Sequence, residues 1–384
     1  MNSLHLICWK YDTTTAMFQR DWALAKGIVE SGINVEMDFI MPNNCKCENE
    51  QRGIHCNYWG NNNAKKGKII AYLLSICKAI SAVRKSSTIL SSTNVTMMIP
   101  LILFSKRGNL YLENNEYPPF ISHTEKFTGK IRLRLYNWVC KRCAGIFVIS
   151  NKLREYFISI GVNPQKVHVI NMTVDDNRFV NVEKQEIESY ICYCGTVSNG
   201  KDGVDILLES FGMIAKEISN IKLYILGSRP FVADNEKNDA IIEKYGIRDR
   251  VYMPGPIPGS EMPQYLKNAQ AVVLSRPDNI QAAYGFPTKL GEYLMTGNPV
   301  VVTRVGELED FLEHKKSCLF AEPGNAADFA EKMKWVLQHL NEAKIIGIEG
   351  KKVAEENFNY KIEGEKIANI IRKDCSTKCK LKKL

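Results

Sequence analysis

A chain of 384 residues exceeds one ordinary hydrophobic core, and an apolar share of 45% with 24% charged residues excludes a disordered or fibrous chain. No run approaches the ~20 uninterrupted apolar residues of a spanning helix, and the first residues lack a basic region followed by an apolar one. Neither a membrane span nor a signal peptide is therefore expected, and the expected location is the cytoplasm.

The formal charge of +9 is unevenly spread. Residues 1–170 carry 22 Lys/Arg against 11 Asp/Glu, residues 171–371 carry 23 against 30, and the last thirteen carry 6 against 1. A basic first half and tail suit an acidic partner such as an anionic membrane surface, a lipid-linked phosphate or a nucleic acid.

Along the chain, short β-branched runs at 4–8 and 35–40 flank a helical pattern at 18–30. Cys45-x-Cys47 with His55 and Cys56, and later Cys140-x-x-Cys143, are the spacings that could bind zinc. Neither makes a two-pair framework, so reduced thiols and no metal are expected. Lys65, Lys66, Lys68, Lys78, Arg84 and Lys85 then surround Ile69, Ile70 and Leu73. That stretch is either a helix lying on an anionic surface or a core-facing helix with charged ends; the lysines of 378–384 favour peripheral attachment at the inner face of the cell membrane. A strand at 109–112 precedes Glu113, Glu116, His123 and Glu125. Acids on a loop after a strand suit an acceptor hydroxyl or a general base, with Glu116 as catalytic candidate and Glu113 and His123 as acceptor ligands; a solvated polar loop is the alternative. Strands at 145–150 and 167–171 and a helix at 152–160 complete the first half.

A polar stretch at 175–189 interrupts the alternation, which then restarts with strands at 190–194, 222–226, 250–253, 271–275 and 299–303. Helical patterns at 205–217, 234–245, 261–268 and 326–339 lie between or after them. Strand–helix alternation of this length predicts an α/β architecture of two doubly wound, Rossmann-like domains. The expected division is 1–174, a linker at 175–189, 190–358, and a C-terminal helix with basic tail at 359–384. Doubly wound sheets bind ligands beyond the carboxyl ends of their strands, so the two domains are expected to face each other across a cleft.

Neither G-x-G-x-x-G nor G-x-x-x-x-G-K-[ST] occurs, and there is no D-x-D to chelate a metal-bound diphosphate. Two other patterns carry chemistry. The strand at 190–194 ends on Gly195, crosses Thr196 and presents Lys201 before a helix, a combination able to hold an anion and equally that of a solvated turn lysine. More specific is the run Tyr284, Gly285, Phe286, Pro287, Thr288, Lys289, followed by Glu292 inside a helix that Gly297 and Pro299 end. Amides around 285–289 would suit a phosphate, and a carboxylate one turn further in can accept both hydroxyls of a ribose.

From Gly195 to about Leu340 the chain resembles the family-4 retaining glycosyltransferases of the GT-B fold, particularly those of surface polysaccharide assembly. The resemblance implies that Gly195 and Lys201 clamp a diphosphate, that Gly227 follows the central strand, that 251–257 up to Ile257 borders the base, and that Arg276 precedes the sugar loop. Glu292 matches the second glutamate of E-x7-E, which holds the ribose. Three positions depart from the pattern: Tyr284 stands for the first glutamate, Thr196 for an arginine, and 10–16 for a glycine-rich loop; Lys289 replaces some of the lost charge. The implied reaction is metal-independent transfer of a hexosyl group from a nucleoside diphosphate sugar, a co-substrate and not a cofactor, to a glycan or lipid-linked acceptor. A sugar-nucleotide epimerase and an inactive partner subunit are the alternatives. A nucleic-acid partner is not expected, because aromatic and basic residues are not interleaved on one face.

Overall fold

The computed structural model describes residues 3–41, 52–60, 67–91, 94–106, 109–185 and 188–381. Cys45, Cys47, Lys65 and Lys66 lie outside them, as do the side chains of 378–384. The chain divides into two compact units: 1–12, 17–173 and 360–384 form the first, 13–16 and 174–359 the second.

Unit 1 is a seven-stranded parallel sheet in the order β3-β2-β1-β4-β5-β6-β7. Its strands are β1 (Ser3–Cys8), β2 (Asn34–Phe39), β3 (Ile54–Tyr58), β4 (Thr88–Ser91), β5 (Leu110–Asn114), β6 (Gly145–Val148) and β7 (Val167–Val169). β1, β4, β5 and β6 are buried almost throughout, as expected of strands covered by helices on both faces. The helix Ala16–Glu30 follows β1 and packs Leu24, Ala25 and Ile28 against Leu4, Leu6, Val35 and Met37. Ile367, Ala368 and Ile371 of the last helix, Tyr360–Leu381, join the same core. That helix therefore belongs to unit 1 and is no separate appendage: Tyr360 Oη donates to Glu30 Oε1 at 2.5 Å, and the Lys26 ammonium lies 5.0 Å from the Tyr360 ring.

Unit 2 is a six-stranded parallel sheet in the order β10-β9-β8-β11-β12-β13. Its strands are β8 (Tyr190–Cys194), β9 (Lys222–Leu226), β10 (Val251–Gly255), β11 (Ala271–Leu274), β12 (Val300–Thr303) and β13 (Leu319–Ala321). Residues 175–185 and 188–189, expected as a linker, group with this unit and include a 3-10 turn, Asp176–Phe179. In both sheets the strand order reverses beside the first strand, between β1 and β4 and between β8 and β11, the positions at which doubly wound sheets take ligands.

Candidate functional site

Three neighbouring strands of unit 2 have glycine at or immediately after their last residue: Gly195 follows β8, Gly227 follows β9, and Gly255 ends β10. Gly195 N–H donates to the Leu226 carbonyl at 2.8 Å and Gly227 N–H to the Gly255 carbonyl at 2.9 Å. A Cβ on Gly227 would overlap the Gly195 carbonyl, and a Cβ on Gly195 would overlap the Lys289 ammonium. Glycine here is a matter of space: it lets the lysine lie directly on the strand end. Tyr293 fixes that end from the other side, its hydroxyl accepting from Cys194 N–H at 2.8 Å and donating to the Cys194 carbonyl at 2.7 Å.

Lys289 does not stand free. Its ammonium donates to Asp202 Oδ2 at 2.5 Å and to the Tyr193 hydroxyl at 3.3 Å, and that hydroxyl donates to Asp202 at 2.7 Å. Asp202 sits in the short helix Asn199–Asp202, capped by Ser198, where Gly203 turns the chain through φ 65°. No larger residue fits at 203, because a Cβ would run into the Ser275 carbonyl. Arg276, immediately after β11, brings its Nε to 4.0 Å from Asp202 Oδ1 and donates to the Lys201 carbonyl at 3.3 Å. Arg276 is only 3% exposed, and its Nη1 is buried without a hydrogen-bond partner among the described residues. Burial pushes the Asp202 carboxyl up, but the Lys289 ammonium and the Arg276 guanidinium outweigh it and hold the carboxyl below the usual carboxylate range. Two cations thus converge beside the switch point with one internal carboxylate between them.

Glu292 lies in the helix Leu290–Met295 and is paired with Arg178, which also donates to the Gly259 carbonyl at 2.7 Å. The pair ties the glutamate to the 3-10 turn 176–179, a stretch that in the sequence reads as featureless and polar. One of the amides expected to be free around 285–289 is used: Gly285 N–H closes the preceding helix on the Gln281 carbonyl at 3.0 Å. Phe286 faces inward and packs edge-on to Phe311 at 5.6 Å and Phe358 at 5.4 Å, so its ring is core, not a ligand platform. Pro287 and Ile257 are buried as well, Tyr284 and Thr288 are half-buried, and Lys201 and Thr196 are exposed. Sequence reasoning missed Asp202, Tyr193, Tyr293 and Arg178, whose partners lie far along the chain.

In unit 1, β5 runs two residues further than expected, and Glu113 is strand, not loop. Its side chain is buried, accepting from Arg20 Nε at 2.6 Å, while Arg20 also donates to the Asn171 carbonyl at 2.6 Å and the Ile170 carbonyl at 3.0 Å. Asp21 accepts from Ser91 Oγ at 2.8 Å in the same interior, and burial together with Glu113 pushes its carboxyl well up. Glu113 therefore holds the fold from within, which corrects its expected role as an acceptor ligand. Glu116 is half-buried on the following turn, and His123 is exposed, 3.5 Å from Glu125. Cys140 and Cys143 are buried thiols that burial pushes up, and no metal-binding cluster of His, Cys, Asp or Glu occurs among the described residues. Beyond the carboxyl ends of β1, β4 and β5 opens a cavity of about 470 Å³, lined by Trp9, Asn94, Thr96, Ser122, Arg132 and Tyr136. Sequence reasoning did not find it, since its residues come from four separate segments.

Residues 188–339 match the family described as Glycosyl transferases group 1, and residues 110–178 match Glycosyltransferase Family 4. An uncharacterized glycosyltransferase of Methanocaldococcus jannaschii is 24% identical over 59% of this chain and 59% of its own. The putative colanic acid biosynthesis glycosyltransferase WcaL of Salmonella typhimurium is 24% identical over 56% of this chain and 53% of its own. The chain thus matches little more than half the length of these relatives. HepE of Anabaena, solved in complex with UDP-glucose, superposes with a TM-score of 0.74 at 14% identity, over 97% of this chain and 99% of its own. Residues 110–178 and 188–339 thus match two glycosyltransferase family models, family 4 and group 1, on a GT-B fold of two Rossmann-like units.

Proposed function

We propose that the protein transfers a hexosyl group from a nucleoside diphosphate sugar to a hydroxyl of a glycan or lipid-linked acceptor in surface polysaccharide synthesis, with retention at the anomeric carbon. The observation that carries this reading is the convergence of Lys289 and the partly unpartnered Arg276 at the β8/β11 switch point, beside Gly195. A diphosphate there gains two side-chain cations and an approach to bare backbone, and needs no metal to balance its charge. Glu292, with one oxygen engaged by Arg178, offers the other to the ribose.

In the transfer, the acceptor oxygen bonds to the anomeric carbon as the bond to the diphosphate oxygen breaks on the same face. The acceptor proton passes to the leaving diphosphate. Side chains position the reactants and stabilise that leaving charge. The unit 1 cavity with Trp9 and Arg132 supplies an apolar ring face, hydroxyls and a cation for the acceptor.

Incubating the protein with nucleoside diphosphate sugars and a lipid-linked oligosaccharide, then reading the new linkage by proton NMR, tests the proposal. A product with the donor's anomeric configuration supports it; the inverted configuration, or free sugar epimer formed without acceptor, overturns it. Lys201, being exposed, makes a screened contact at most: Lys201→Ala is expected to weaken donor affinity only severalfold, with the loss vanishing at high salt. Calorimetry at two salt concentrations checks this.

A further inference from the structure

Three helices of unit 1 pack side by side on one face of its sheet: Lys68–Lys85, Val95–Phe104 and Phe127–Cys140. None of them contains an aspartate or a glutamate, while the outer two carry seven lysines and arginines. Their outward sides are apolar as well. Phe127, Ile131 and Leu135 recur every four residues along the third helix, with Phe127 77% exposed, and Lys126, Lys130 and Arg134 run beside them. Ile69, Ile70 and Leu73 are exposed on the first helix, and Leu103 and Phe104 on the second. Tyr72 Oη lies 2.7 Å from Thr96 Oγ1, and Arg84 Nε donates to the Phe104 carbonyl at 2.8 Å, so the first two helices run in parallel at both ends. Single exposed apolar residues are ordinary; eight on three adjacent acid-free helices are not.

We infer that this three-helix face docks on a bilayer containing anionic lipid, and that it, not the lysine-rich tail alone, carries any peripheral attachment. Apolar side chains flanked by cations are the composition of helices lying in the headgroup layer. A second copy of the chain is a poor occupant, because two such faces would oppose seven cations with seven cations. A nucleic acid backbone would answer the cations and leave the apolar residues unserved. The inference rests on the proposed function only in that Arg132, on the third helix, also lines the cavity assigned to the acceptor. An acceptor anchored in lipid would then reach its cavity from the surface on which the protein rests. Among the described residues no helix is long and apolar enough to cross a membrane, so attachment would be reversible.

The test is cosedimentation of the full chain with vesicles of phosphatidylcholine, alone and mixed with phosphatidylglycerol, at low and high salt, with neither donor nor acceptor present. Binding is expected only to the mixed vesicles and only at low salt. Phe127→Ser with Ile131→Ser, and separately Lys130→Glu with Arg134→Glu, should each lower it at least about tenfold. Ile345→Ser, an exposed apolar residue of unit 2, should leave it unchanged. Equal binding by wild type and the two double variants overturns the inference, as does a wild-type dimer in sedimentation that either double variant makes monomeric. Because donor binding is read separately by calorimetry, failure here leaves the transferase reading standing, and failure there leaves this one.

Discussion

Replacing Arg20 by methionine is expected to cost unit 1 about 3–5 kcal/mol, the range for removing one partner of a buried ion pair. The guanidinium is 2% exposed and the carboxylate it holds, Glu113, already has one oxygen, Oε2, without a partner among the described residues. Without Arg20 the interior keeps two acids, Glu113 and Asp21, and loses four hydrogen bonds, to Glu113, Thr173 and the carbonyls of 170 and 171. The pH dependence has a definite sign. The Asp21 carboxyl is raised in the folded state, so its favourable share of stability is full below the ordinary carboxylate range and is lost as pH rises through the folded value. The Arg20→Met deficit should therefore be largest at neutral pH and shrink in acid. Urea unfolding at neutral pH and near pH ~4 reads both; a deficit under about 1 kcal/mol, or one that grows in acid, contradicts the account.

Lys289→Met should do similar damage in unit 2 and, in addition, abolish measurable nucleotide binding. Asp202 is 2% exposed and would keep the neutral Tyr193 hydroxyl and a single cation, Arg276, whose Nε is 4.0 Å away, so a loss of about 3–5 kcal/mol is expected. Here the sign is opposite. The Asp202 carboxyl is depressed, so its contribution is present above the unfolded value and lost as pH falls through the folded one. Lys289→Met should flatten that acid-side loss. Combining Lys289→Met with Asp202→Asn removes the uncompensated charge and should restore most of the stability without restoring affinity for nucleoside diphosphates. That divergence separates a lysine that binds the donor from one that merely neutralises an aspartate. A double variant that regains both contradicts the assignment.

The parts of the fold visible in the sequence are those written in local pattern. The runs that became β8, β9, β11 and β12 are β-branched or aromatic and buried, and periodicity found them within a residue or two. β3, β4 and β13 escaped: Ile54–Tyr58 is half polar, Thr88–Ser91 has four residues with polar ends, and Leu319–Ala321 has three, too little for a period to register. Glu113 shows what a small boundary error does. Two residues of unrecognised strand turned a buried ion-pair acid into an apparent loop ligand, and nothing local to 109–116 betrays the arginine 93 positions earlier.

At the candidate site the same division holds. Gly195, Lys289 and Glu292 were legible because glycine at a strand end and a carboxylate behind a proline turn are local signals. Asp202 and Arg178 were not, since an aspartate before a glycine and an arginine in a polar stretch are the usual composition of surface turns. Only the fold brings Asp202 to Lys289, 87 positions on, and Arg178 to Glu292, 114 positions on. The last helix was legible, but its grouping with unit 1 was not: its lysine-rich end dominates the composition, while Ile367, Ala368 and Ile371 do the packing.

The most direct measurement of the central claim is calorimetric titration of uridine, guanosine and adenosine diphosphates into the wild-type protein and into Glu292→Gln. The amide keeps the size of the side chain and removes the charge with which it meets Arg178 and, in the proposed complex, would meet a ribose. At least one diphosphate should bind the wild type, and the same one should bind Glu292→Gln about ten- to a hundredfold more weakly, the equivalent of about 1.5–3 kcal/mol for a hydrogen bond to a charged group. No binding to the wild type by any of the three, or equal affinity for both proteins, would contradict a nucleotide site built on Lys289, Arg276 and Glu292.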